Sequence, residues 1–184
     1  MKPYQPSLAV PVKGLLILLL AVIVGGAVIG TLAAGLASLI YVAILIPVVM
    51  GWLGGRLVGA AVYTGKIRDP AVAIGAGVLI ALVMYAALWY GEYRLFGVAA
   101  GQGGFLDRLQ SGMAVIRLRA MNVSILELGT VLSWAVTLVE VVLMAWIAVA
   151  VGRQPAYRPF CETCNRWHGA EQLLGTLGSK RSKE

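Results

Sequence analysis

Two groups of residues in this 184-residue chain have types and spacing that chemistry could use. The first is Cys161-Glu162-Thr163-Cys164-Asn165-Arg166-Trp167-His168, followed by Glu171, and it holds both cysteines and the only histidine of the chain. A Cys-x-x-Cys turn brings two thiolates within reach of one metal ion, and His168 can add an imidazole nitrogen. A closed structural zinc site takes four ligands, so Glu171, a water or a second chain would complete it. Two other readings stay open at this spacing: a thiol redox pair, without the thioredoxin-like strand and helix pattern that usually accompanies one, and cysteines with no chemical task. A c-type haem is excluded, because the histidine does not directly follow the second cysteine.

The second group is Glu140 with Thr137 one helical turn before it, inside a long apolar run. An ionised carboxyl at the centre of a bilayer costs at least ~2.5 kcal/mol, so Glu140 is expected to face protein rather than lipid. Gly129, Ser133 and Thr137 form a small-residue stripe beside it. The chemistry available there is a proton or cation relay, and the structural alternative is a hydrogen bond between helices.

The elements that must position these groups follow from composition. Hydrophobic residues make up 60% of the chain, charged residues 12%, and mean hydropathy is +0.86, values that exclude both an ordinary soluble domain and a disordered chain. No Asp, Glu, Lys, Arg or His occurs from Gly14 to Gly55. As one helix that run would be about 63 Å long, twice the hydrocarbon core, so it predicts a hairpin of two spans. The spans fall at about 14–36, 39–63, 71–90 and 128–151, with the first turn near Ala37 and Ser38. Pro47 then lies inside the second span and should kink it. The first apolar run exceeds a secretory signal core and continues into a second span, so it is expected to be retained.

A polar break at 64–70 places Gly65 at a helix end and Pro70 in the first turn of the next helix. Between the third and fourth spans, Phe105, Leu106, Leu109, Met113, Ile116 and Ala120 recur every three or four residues. That spacing predicts an interfacial helix over 105–122 on the outer surface. Trp52, Trp89, Tyr63, Tyr90 and Tyr93 are expected as aromatic anchors at the interfaces.

Glycines recur at a spacing of four, at Gly51, Gly55 and Gly59 and again at Gly26 and Gly30. Such stripes let helix backbones approach closely, either within the bundle or as a docking face for another subunit. The basic residues set orientation. Of 15, eleven fall on the side of the termini: Lys2, Lys13, Arg56, Lys66, Arg68, Arg153, Arg158, Arg166, Lys180, Arg181 and Lys183. Arg94, Arg108, Arg117 and Arg119 fall on the other. Both termini are therefore expected in the cytoplasm, and the net charge of +7 reflects loops rather than nucleic-acid binding. The basic end of the chain, from Gly178, suits anionic headgroups.

Together, Tyr4-Gln5-Pro6-Ser7, the uncharged hairpin with Pro47, the loop from Lys66 to Pro70 and the tail from Pro159 to Trp167 resemble a set of uncharacterised bacterial four-span membrane proteins. The resemblance implies a bacterial inner-membrane protein and carries over no catalytic residue.

The expected architecture is all-α: an integral membrane four-helix bundle over 14–151, between a cytoplasmic segment 1–13 and a small cytoplasmic tail 152–184. No nucleophile, base and orienter constellation is visible, so no enzyme is expected. The leading expectation is an adaptor, assembly or accessory subunit whose tail binds zinc or a protein partner, in the bilayer with a partner protein or as a homo-oligomer. The alternatives are a small oligomeric transporter or channel component using Glu140, and a thiol redox protein using Cys161 and Cys164.

Overall fold

A computed structural model describes residues 8–39, 44–94, 117–120, 123–127, 130–161 and 166–167. Most of the chain is helical. Helix α1 (Val12–Leu20), a π turn (Ala21–Gly25) and α2 (Gly26–Leu39) run on as one rod. Then come α3 (Leu45–Thr64), α4 (Pro70–Glu92) and α5 (Thr130–Gly152). Among the described residues, four helices are long and apolar enough to cross a membrane, bounded at Val12–Ala37, Leu45–Thr64, Pro70–Glu92 and Ala135–Tyr157. Their outer faces carry large apolar side chains such as Leu20, Leu36, Val142 and Trp146, which lipid accepts and water would not.

The hairpin turn comes later than the sequence suggested. Helix α2 continues through Leu39, and α3 begins only at Leu45. Pro47 consequently stands in the first turn of α3, where its missing N–H is one of the groups a helix leaves unbonded anyway. The expected interior kink has no cause there.

The loop between α3 and α4 follows from local chemistry. Lys66 takes a left-handed conformation (φ 53°), Ile67 N–H donates to the Val62 carbonyl at 3.1 Å, and Lys66 N–H to the Tyr63 carbonyl at 3.3 Å. This is a Schellman closure, with Ile67 fully buried as its hydrophobic member. Asp69 then caps α4 by accepting from the Ala71 N–H at 2.8 Å, with Pro70 in the first turn.

The two most extensive helix pairs are not neighbours in sequence. The most extensive interfaces join α2 to α4 and α3 to α5, each a parallel pair, and α4 to α5, which run antiparallel. Glycines make the parallel pairs close. A Cβ at Gly51 would sit 2.7 Å from the Met144 carbonyl oxygen, and one at Gly55 would sit 2.8 Å from Val151 Cβ. On the other pair, a Cβ at Gly26 would lie 2.9 Å from Val83 Cγ1, and one at Gly30 would lie 2.6 Å from Ala87 Cβ. Gly59 is looser, with Pro155 Cγ at 3.6 Å. These faces are occupied inside the chain, which is the packing role of the stripes rather than a docking face for another subunit.

Two short ribbons accompany the helices. Strand β1 (Arg117–Ala120) pairs antiparallel with β2 (Val123–Glu127), and β3 (Phe160–Cys161) with β4 (Arg166–Trp167). Within the interfacial helix expected over 105–122, only 117–120 are described, and they are strand, because Arg117, Leu118 and Arg119 alternate in polarity with a period of two; 105–116, 121 and 122 lie outside the described residues.

Candidate functional site

The tail folds back onto the end of the bundle. After α5, a 3₁₀ turn (Gln154–Tyr157) redirects the chain into β3. Phe160 is buried, its ring 4.4 Å beneath the Arg68 guanidinium and edge-on to Trp167 at 5.0 Å. Trp167 stacks on Tyr63, with ring centroids 5.7 Å apart and an interplanar angle of 18°. Its Nε1–H donates to the Tyr63 carbonyl at 2.9 Å. That carbonyl is among the last four of α3, which have no partner within the helix. The same loop receives the N-terminal segment, since Arg68 N–H donates to the Ala9 carbonyl at 3.0 Å and Gly14 packs directly on Gly65. Residues near both ends of the chain thus meet at one end of the bundle.

Pairing of Cys161 with Arg166 and of Phe160 with Trp167 fixes the ribbon's register. Residues 162–165, Cys164 among them, lie outside the described residues. Cys161 ends β3 and is partly exposed. Cys164, His168 and Glu171 lie outside the described residues, as does any ligand set they form with Cys161. No group of three or more His, Cys, Asp or Glu side chains gathers among the described residues.

A second polar site lies inside the bundle between α4 and α5. Glu140 and Thr137 project from α5 and are 2% and 4% exposed, so both face protein. Opposite them stand Tyr85, also buried, and Trp89, whose rings meet edge-on at 6.2 Å. Tyr85 interacts with the side chains of Trp89 and Thr137 and lies within electrostatic range of Glu140 and Glu92. Sequence reasoning placed Trp89 at an interface and passed over Tyr85. The signal was present, for Tyr85, Trp89 and Glu92 stand at i, i+4 and i+7, one face of a helix.

Arg56, too deep in its span to reach a loop, lies 6.0 Å over the face of Trp52. The chain matches no family model, no curated protein and no solved structure.

Proposed function

We propose that this is a non-enzymatic multi-pass protein of the bacterial inner membrane, an adaptor, assembly or accessory subunit that presents a zinc- or partner-binding tail to the cytoplasm. The pairing of Cys161 with Arg166 carries this reading. It puts Cys161 at the end of an antiparallel ribbon, three residues before Cys164 in sequence, the spacing at which Cys-x-x-Cys thiolates can converge on one metal ion. The ribbon's anchorage supports a recognition role, because Phe160 and Trp167 hold it to Arg68 and Tyr63 in a fixed attitude. Lys13, Lys66, Arg68, Arg153, Arg158 and Arg166 share this end of the fold, the distribution expected of a cytoplasmic face.

Metal content of protein purified in mild detergent without chelator tests the reading, beside a Cys161→Ser, Cys164→Ser double variant. The expected result is near-stoichiometric zinc that the variant loses; half-stoichiometry indicates a site completed by a second chain. No metal, combined with reversible cycling of the two thiols to a disulfide, would overturn it in favour of thiol redox chemistry.

A further inference from the structure

The face of α3 turned away from the bundle carries the one charged residue of that helix, Arg56. Val49, Trp52, Leu53, Arg56, Ala60 and Tyr63 are all exposed and recur at the spacing of a single helix face. Another face, with Gly51 and Gly55, is taken by α5. Arg56 stands two turns before the end of α3 at Thr64, about 12 Å inward at 1.5 Å per residue. Its guanidinium lies 6.0 Å over the ring of Trp52, one turn deeper still, so the side chain leans away from the loop that follows α3. An aromatic face attracts a cation but leaves its charge in place.

A charge held at this depth on a lipid-facing surface is costly, and arginines in membrane helices as a rule face protein or a water-filled cavity and pair with another group. The described acids of the chain are elsewhere. Asp69 caps the start of α4, Glu92 closes its far end, Glu127 lies in β2, and Glu140 is buried on α5.

We propose that this face of α3 docks a membrane helix of another protein, one that carries a carboxylate opposite Arg56. The planar guanidinium takes both oxygens of a carboxylate at once, which an ammonium does not do. Trp52 holds it at the depth where that acid must stand. Ala60, one turn on, lets a second backbone approach, and Val49 and Leu53 supply the apolar contact. A headgroup phosphate fits less well, because the lean toward Trp52 takes the charge below the interface. A second copy of the chain does not fit, because its described acids offer no exposed carboxylate on a span at this level. The proposal rests on the accessory-subunit reading and names the chemistry of the partner. It uses neither the tail nor a metal, so the two can fail separately.

Fluorescence energy transfer between the labelled full chain and a labelled single-span Leu-Ala peptide, in phosphatidylcholine vesicles, tests it. The peptide carries one Glu about 12 Å from one end, or Gln at the same place. The expected result is association about tenfold tighter for the Glu peptide, a comparison made on unaltered protein. Arg56→Gln should abolish the preference, and Arg56→Glu should transfer it to a peptide with Lys at that place. Equal association of the Glu and Gln peptides with unaltered protein would overturn the proposal, as would a preference that persists in Arg56→Gln. Phosphatidylglycerol retained in native mass spectra and lost in Arg56→Gln, with no peptide preference, would overturn it in favour of a lipid phosphate. Zinc content of the same preparation reports on the tail independently.

Discussion

The indole of Trp167 donates to the backbone carbonyl of Tyr63, 104 residues earlier in the chain, and stacks on the same residue's ring. One residue thus ties the tail to the end of α3 by two interactions of different kinds. Trp167→Phe removes the hydrogen bond and keeps an aromatic ring, a loss of about 1 kcal/mol. Trp167→Ala removes the stacking as well, adding about 0.5–1.5 kcal/mol. Hydrogen exchange read by mass spectrometry should show faster exchange at 153–167 in the order Ala, Phe, native, with the spans unchanged.

The glycine stripe on α3 should respond unevenly. Alanine is favoured over glycine in a helix by about 1 kcal/mol, whereas a methyl forced into a tight contact costs about 1–3 kcal/mol. At Gly51 the nearest atom is the Met144 carbonyl oxygen, a backbone atom that cannot swing aside. Gly51→Ala should therefore lower the thermal midpoint in detergent. At Gly59 the nearest atom stands at 3.6 Å, so Gly59→Ala should hold or raise it. Equal effects at both positions would contradict this packing.

Lys66 occupies the left-handed position that closes α3, while the adjacent Gly65 has an ordinary helical φ of −74°. The sequence suggested that Gly65 served the turn, but its place is fixed by Gly14, whose Cα would lie 2.8 Å from a Gly65 Cβ. Left-handed backbone costs an L-residue about 1–2 kcal/mol, so Lys66→Gly should be stabilising by about 1 kcal/mol once the added freedom of the unfolded chain is discounted. Gly65→Ala should destabilise. Thermal unfolding of the two variants in one detergent decides both signs.

Because Ala9 bonds Arg68 and Trp167 bonds Tyr63, positions near the two ends of the chain belong on one side of the membrane. In a background without Cys161 and Cys164, Leu8→Cys and Arg158→Cys should both react with a membrane-impermeant maleimide from the same side. The proposed orientation makes that side the cytoplasm. Labelling of the two from opposite sides would exclude this fold.

The four long apolar helices were legible because a nearly uncharged helix long enough to cross ~30 Å of hydrocarbon is stable in lipid and scarcely anywhere else. The turn into α4 was legible because Asp69 and Pro70 spell a cap. Less was legible where a signal depends on partners distant in sequence. Phe160 and Trp167 read as ordinary tail residues until Arg68 and Tyr63 lie beside them. Tyr85 is a lone aromatic until α5 brings Thr137 and Glu140 opposite. At 117–120 the strand was not legible, because the apolar residues spaced by three or four ahead of it draw attention from the alternation that begins at Arg117. Pro47 was assigned a kink because the expected start of the second span, at 39, precedes the first residue of α3, Leu45, and no charge or cap residue between them marks the true start.

The parallel pairing of α2 with α4 and α3 with α5 has a bearing on how the chain is made. A nascent chain releases its first two spans with their closest-fitting glycine surfaces still lacking the helices that cover them. The partner of Gly30 arrives with the third span and that of Gly51 with the fourth. Assembly is therefore committed late: until α5 has been made, the face of α3 at Gly51 and Gly55 has no helix to cover it.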